Sequence, residues 1–346
     1  MENRIKKCIA KLKTKNLDAI LLSNPTNITY LNGFREAEGY LLINPDTQPT
    51  YFTNFLYKYE AQKLSYCRVL TSGGNIFKLV EDEIRRLHLK NIGFEAKHLP
   101  FLEYAKFSDD LAAEGINFIK TIDFIENLRI IKSHSEVSLI KKAARITQEA
   151  LTFIGEIHEK TMREKELSLE VEKFLKLKGD SQVAFPTIVA SGRNSAFPHH
   201  LSGEAKLNKK FFLIDLGAKN YGYCADLTRV FFWGKMPPLF KKIYSIVHRA
   251  QELSIKKIKD GVKAKEVDLA ARKFLDKKGL VKYFGHGVGH GIGLSVHEPP
   301  FLNCKNDEIL KDGMVVTVEP AVYINGNFGI RIEDMVLVGN NKGEVL

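Results

Sequence analysis

The sequence predicts an α/β (α+β) chain of two domains, the second built on an internal pseudo-twofold repeat. Three observations lead there. Short apolar strand patterns alternate with helical ones up to about residue 125, two lysine-rich helical segments repeat one another at an offset of 100 residues, and two apolar strand pairs each carry carboxylates at symmetric places. With 346 residues, 44% hydrophobic and 27% charged, the chain can bury two cores. The expected domains are 1–125 and 126–346.

The first segment opens with Ile5, Cys8, Ile9 and Leu12 at helical spacing. Strands are expected at 19–22, 40–43, 50–53, 68–70 and 92–94, with helices around 3–14, 75–88 and 101–114. No catalytic cluster stands out in this part. Beyond it, Ser133-His134-Ser135-Glu136 reads as a capping box that starts a helix, with Val137, Ile140, Ala144, Leu151 and Ile154 on one stripe. The repeat follows: residues 161–179 and 261–279 share Lys165/Lys265, Glu166/Glu266, Leu169/Leu269, Phe174/Phe274, Leu175/Leu275 and Gly179/Gly279. Each half is expected to set paired helices over a shared antiparallel sheet.

Carboxylates mark the strand pairs that come next. Asp215 in FFLIDLGA and Asp226 in YCADLTRVFF lie equally far from the midpoint of Asn220-Tyr221, so a symmetric turn makes them a directly opposed cross-strand pair. Glu319 and Glu333 repeat the arrangement, each seven residues from Gly326 in Asn325-Gly326-Asn327, and Asn-Gly is a strong hairpin signal. Strand alternation puts Val315, Thr317 and Glu319 on one face, opposite Arg331, Glu333 and Met335. The apolar flanks imply a buried sheet, where like charges require a compensating cation or a held proton.

Between these pairs runs Gly285-His286-Gly287-Val288-Gly289-His290-Gly291-Ile292-Gly293-Leu294-Ser295-Val296-His297-Glu298-Pro299-Pro300. Glycine this dense lets backbone pass close to a ligand, and no Lys-Ser/Thr follows to make it a phosphate loop. Four carboxylates with His290 form an oxygen-rich set with one borderline nitrogen, suited to two divalent ions such as manganese, cobalt, zinc or iron.

Taken in order, IDLGA, ADLTR, GHGVGHGIGLSVHEPP, VEP and GIRIED resemble the aminopeptidase P and prolidase family of dinuclear metallopeptidases, whose catalytic domain has the pita-bread fold. Tyr30-Leu31-Asn32-Gly33-Phe34 resembles that family's amino-terminal domain, which usually reads YLTGF there. The resemblance implies Asp215 as a terminal ligand of one ion, His290 and Glu319 as terminal ligands of the other, Asp226 and Glu333 as bridges, and a hydroxide between two metals, manganese foremost. It implies Glu319 as proton shuttle, His199 as a substrate-binding histidine, and His286 and His297 as pocket histidines for substrate or tetrahedral intermediate. Arg331 is implied to orient the far end of the ligand and the bridging glutamate. The implied activity is hydrolysis of Xaa-Pro bonds in proline-containing peptides by a homodimer. A metal-independent creatinase-like hydrolase or a binding protein on the same scaffold is the alternative, which the complete ligand set disfavours. Where many members carry Thr-Asp-x-Arg-Tyr this chain has Thr53-Asn54-Phe55-Leu56-Tyr57, which leaves dipeptides and longer peptides both open as substrates.

The other histidines are read as structural. His200 is expected to be a bystander beside His199, and His88, His98, His134, His158 and His248 to lie on the surface. Cys8, Cys67, Cys224 and Cys304 are scattered without a Cys-x-x-Cys pair, so reduced, buried thiols are expected and structural zinc is not. Net charge is +11, yet the lysines are spread along helices with intervening acids and no aromatic-interleaved basic patch, which argues against a nucleic-acid partner. No apolar run approaches about 18 residues, and MENRIKK leads into a helical pattern and not a signal peptide, so no membrane association and a cytoplasmic location are expected.

Overall fold

The computed structural model describes residues 1–35, 38–207 and 210–346, which divide into two compact units, Met1–Arg129 and Ile130–Leu346. Among the described residues, the first unit holds a six-stranded sheet of β1 (Ala19–Leu22), β2 (Tyr40–Ile43), β3 (Thr50–Asn54), β4 (Arg68–Ser72), β5 (Asn91–Glu95) and β6 (Asn117–Thr121), in the order β4-β3-β2-β1-β5-β6. Only β2 runs antiparallel to its neighbours. The helices of this unit are α1 (Glu2–Thr14), α2 (Pro25–Asn32), α3 (Lys58–Ala61), α4 (Ile76–Arg86), α5 (Phe101–Ala112) and α6 (Glu126–Arg129). Val80 and Ile84 of α4 and Phe107 and Leu111 of α5 pack on Ala19, Leu21, Leu42 and Phe52.

Glu81, Glu83 and Glu95 of this unit are buried. Glu95 accepts hydrogen bonds from Ser23 N and Asn24 N, both at 2.7 Å, and from Asn27 Nδ2 at 2.5 Å. Burial nevertheless outweighs those donors and pushes its pKa from 4.5 up to about 7. The folded unit therefore holds a proton that the unfolded chain has released. Its stabilising effect is full below pH 4.5 and is lost as pH rises through about 7. Hydrogen exchange at the β1 and β5 amides should show wild type losing about 3 kcal/mol across that window relative to Glu95→Gln. Parallel pH curves for the two proteins would rule this out.

The second unit contains α7 (His134–Ile157), α8 (Glu164–Lys178), α9 (Pro238–Ile255) and α10 (Ala264–Lys277). Its strands are β7 (Ile188–Ser191), β8 (Phe211–Leu216), β9 (Lys219–Asn220), β10 (Tyr223–Cys224), β11 (Leu227–Phe232), β12 (Gly289–Gly291), β13 (Glu298–Leu302), β14 (Val315–Val318), β15 (Ala321–Ile324), β16 (Phe328–Arg331), β17 (Asp334–Val338) and β18 (Gly343–Val345). They form sheets β11-β8-β7 and β13-β12-β14-β17-β18 with hairpins β9-β10 and β15-β16. The capping box ahead of α7 is formed: Ser133 N donates to Glu136 Oε2 at 2.9 Å and Glu136 N donates to Ser133 Oγ at 3.4 Å.

Each sheet carries its own helix pair. Ile146, Ala150 and Ile154 of α7 and Leu167, Val171 and Leu175 of α8 pack on Val189, Phe212, Ile214 and Leu216. Phe240, Ile243 and Val247 of α9 and Val267, Ala271 and Leu275 of α10 pack on Val316, Val318, Val336 and Val338. Thus Leu167, Val171 and Leu175 have buried counterparts exactly one repeat later, and the bridges Arg163 to Lys206 and Lys263 to Ile309 sit at matching places. The repeat in the sequence is a repeat in the fold. Among the described residues, no helix is long and apolar enough to cross a membrane.

Two expectations about side chains are corrected here. Cys304 is exposed while Cys8, Cys67 and Cys224 are buried, because residue 304 falls in the loop after β13. His158 is half-buried, not a surface residue: its ring packs against Phe212, Phe231 and Trp233 and its Nδ1 meets Ile154 O at 2.6 Å.

Candidate metal centre

The β8–β11 hairpin pairs Asp215 with Thr228, not with Asp226. Its turn is Tyr221-Gly222, with φ of 50° and 82°, one step later than the symmetric turn expected. Two consecutive positive φ values make the twist-matched two-residue hairpin turn, and this shifts the register by two. Asp226 remains on the face of Asp215 as its diagonal neighbour, so the pair still converges.

Glu319 and Glu333 are in register. They are bracketed by Val318 opposite Asp334 and by Ala321 opposite Arg331, two pairings of the same register on either side of a break. At the glutamates the backbones part. Glu319 N donates to Val288 O at 2.8 Å and Glu333 N to Thr228 O at 3.2 Å, tying this hairpin to the glycine-rich run and to the other hairpin. His290, on β12, has its backbone N on Thr317 Oγ1 at 3.1 Å and its Nε2 3.3 Å from Glu319 Oε1 and 3.8 Å from Asp226 Oδ2. The approach requires glycine beside it: a Cβ on Gly289 would lie 2.0 Å from Thr317 O.

Ligand-type atoms of three overlapping groups lie within 4.8 Å of one another: Asp215, Asp226 and Glu333; His290, Glu319 and Glu333; and Asp226, His290 and His297. Asp215 Oδ1 and Asp226 Oδ1 are buried and meet no hydrogen-bond donor. Burial, then the neighbouring carboxylates, push Asp226 and Glu333 well above the usual carboxylate range. Burial acts on Glu319 in the same sense, but the hydrogen bond and charge of His290 outweigh it and hold Glu319 low. Unpartnered, mutually repelling buried oxygens beside one imidazole fit a divalent-cation centre.

Arg331 is buried in this cluster. Its Nη2 donates to Asp215 Oδ2 at 2.5 Å, Nε to Thr228 Oγ1 at 2.9 Å, and Nη1 to Tyr323 Oη at 2.6 Å and Pro198 O at 3.4 Å. It reaches Glu333 only through Thr228, whose hydroxyl donates to Glu333 Oε2 at 2.7 Å. With these bonds Arg331 is a compensating charge within the cluster. Thr228 and Tyr323 were not singled out from the sequence. Strand parity could have found Thr228, two residues after Asp226 and hence on the same face.

Three histidines surround the cluster. His286 is mostly buried, with Nδ1 on Gly287 O at 2.7 Å and Nε2 buried without a partner, and burial holds its pKa down. The exposed His297 has its ring centroid 4.2 Å from that of His290, and burial of its inner part, then the charge of His290, lowers its pKa. His199 is exposed and near enough to His297 to add to that lowering. His200, expected to be a bystander, hydrogen-bonds the buried Glu164 at 2.7 Å. Cys224 Sγ meets Gly222 O and Leu294 O, outside the ligand-atom groups. A cavity of about 570 Å³ in the first unit, bordered by Tyr40, Phe77 and His98, holds none of these residues.

Carboxylates and an imidazole gathered where two pseudo-symmetric halves meet define a hydrolase of the pita-bread fold. Residues 138–340 match metallopeptidase family M24 and residues 4–131 match the creatinase/prolidase N-terminal domain. The chain belongs to metallopeptidase family M24. It is 33% identical to a Xaa-Pro dipeptidase of Pyrococcus horikoshii over 355 aligned residues, covering 100% of this chain and 97% of that one. Among solved structures it is similar to a Xaa-Pro dipeptidase from Bacillus anthracis, with 34% identity, a TM-score of 0.93 and coverage of 99% and 96%. An X-Pro aminopeptidase from Thermotoga maritima follows at 33% identity, a TM-score of 0.89 and coverage of 99% and 97%.

Proposed function

We propose that this metallopeptidase hydrolyses Xaa-Pro bonds, either in dipeptides or at the amino terminus of longer peptides. The observation that carries the proposal is the buried convergence of Asp215, Asp226, His290, Glu319 and Glu333, with two carboxylate oxygens lacking any donor. These five residues would hold two divalent ions, manganese foremost and cobalt, zinc or iron as alternatives, with Glu333 and Asp226 each belonging to two of the overlapping groups. Bound ions of this kind acidify water and polarise a peptide carbonyl.

The chain's own side chains do the rest. Glu319, at the edge of the cluster, takes a proton and returns it to the departing proline nitrogen. His297 donates to the oxygen that gains charge, and His286, whose Nδ1–H is taken by Gly287 O, offers Nε2 to the substrate as an acceptor. His199 binds substrate, and Arg331 keeps Asp215 fixed and offsets the carboxylates. A homodimer, implied by the resemblance, and a cytoplasmic location, expected from the sequence, are part of the same reading.

Assays of Ala-Pro, Ala-Pro-Ala and Ala-Ala with elemental analysis test it. Cleavage of the first two and not the third is expected, and their ratio separates dipeptidase from aminopeptidase. His297→Ala should lower kcat/KM by roughly 10²–10³ while keeping its cations. Ala-Ala cleaved as readily as Ala-Pro would end the specificity, and loss of cations from His297→Ala would make it a ligand. Thr228→Val keeps the side chain's shape but not the hydroxyl between Glu333 and Arg331. It should weaken cation affinity roughly 10- to 100-fold in equilibrium dialysis, and unchanged affinity would remove Thr228 from the centre.

A further inference from the structure

Each exposed site histidine is followed in the chain by a residue that turns inward to a buried, charged partner. After His297 comes Glu298, 4% exposed, whose Oε1 accepts from Lys132 Nζ at 2.8 Å; the Lys132 side chain is 1% exposed. Ser295 N adds a bond to Glu298 Oε2 at 3.4 Å, and Lys132 Nζ also donates to Ile130 O at 3.2 Å. The loop closes tightly over this pair: a Cβ on Gly293 would lie 2.5 Å from Glu298 Oε1. After His199 comes His200, whose Nε2 meets Glu164 Oε2 at 2.7 Å. Glu164 is fully buried and also accepts from Ser191 N at 2.6 Å, Asn194 Nδ2 at 2.8 Å and Gly203 N at 3.1 Å. Lys132 lies directly ahead of the Ser133 cap of α7, and Glu164 is the first residue of α8. Both partners are thus fixed to the beginnings of packed helices.

A buried ion pair stabilises a fold no better than apolar side chains of the same volume. What it adds is direction, because its hydrogen bonds hold one geometry. Glu298 opens β13 and His200 closes a turn through its N–H on Phe197 O at 3.2 Å, so an anchored side chain at either residue fixes the backbone from which the preceding histidine projects. From this twin arrangement we infer that Glu298 with Lys132 aims His297, and that His200 with Glu164 aims His199. These four are positioning residues for the site histidines. The inference rests on the roles proposed above for His297 and His199.

The test is a pair of mutational cycles with a spectroscopic arm. In Lys132→Met/Glu298→Leu, kcat/KM for Ala-Pro falls roughly 10- to 100-fold with cation content retained, and adding His297→Ala costs much less than it does in wild type. His200→Gln behaves likewise toward His199→Ala, and Glu164→Gln serves as the second variant of that pair. Where His297→Ala and His199→Ala each cost activity on their own, losses that simply multiply in both cycles would overturn the inference. In protein with isotope-labelled histidine, the His297 imidazole resonances shift in the Lys132/Glu298 variant and not in His200→Gln, and those of His199 do the reverse. That arm needs no substrate. Unmoved resonances overturn the anchors even if the peptidase reading holds, and shifted resonances sustain them even if His297→Ala proves harmless to catalysis and the proposed roles fall.

Discussion

Asp226→Ala and Glu333→Ala each reduce Xaa-Pro hydrolysis to background and release the bound cations. Both residues, like His290, belong to two of the overlapping ligand groups, and the resemblance makes these two carboxylates the bridges, so removing either disrupts the whole centre and not one half of it. Stability should move in opposite directions with and without cations. In chelator, Asp226→Asn is expected to melt above wild type, since it takes a charge out of a set of buried carboxylates that repel one another. With cations supplied the order reverses, because wild type gains binding free energy that the variant cannot. Elemental analysis and thermal melts in both conditions give the check, and an active, cation-loaded Asp226→Ala would refute the dinuclear reading.

Arg331→Ala should be the most destabilising single change near the site. The guanidinium is buried, bonded to Asp215, Thr228, Tyr323 and Pro198, and its own pKa is raised well above normal: burial opposes its charge, but Tyr323 and the carboxylates outweigh that. Losing one partner of a buried charge pair costs about 3–5 kcal/mol, and the loss should be largest in chelator, where no other cation offsets the carboxylates. Arg331→Lys should not rescue it, because a lysine cannot span those partners with a planar fork. A lysine variant melting like wild type would show that charge alone matters.

The carboxylates were legible in the sequence because their spacing is local. Asn325-Gly326-Asn327 fixes the turn from its own residue types, and Glu319 falls opposite Glu333 as symmetry requires. The first hairpin lacked so definite a turn, and Tyr221 with its positive φ moved the register away from the symmetric guess. In the first unit the strand at Asn117–Thr121 went unread because it is an edge strand, largely exposed and without alternating apolar residues. The helix Pro25–Asn32 is short, although Asn24, Pro25 and Gly33 supply its cap, first residue and terminus. Lys132 and Glu298 stand 166 residues apart. No periodicity or motif links such a pair, so only the folded chain could disclose it.

The repeat also decides which way the site faces. Matching the two hairpins strand for strand puts Asp215 at the place of Glu319, Thr228 at that of Glu333, and Asp226 at that of Arg331. Two identical halves would offer a peptide the same surroundings in either orientation. Here an acid in one half is answered by a guanidinium in the other, so the two halves bring unlike charges to the cluster they share. Two of the three matched positions, Thr228 with Glu333 and Asp226 with Arg331, differ in charge, so the folding pattern repeats while the site it builds does not.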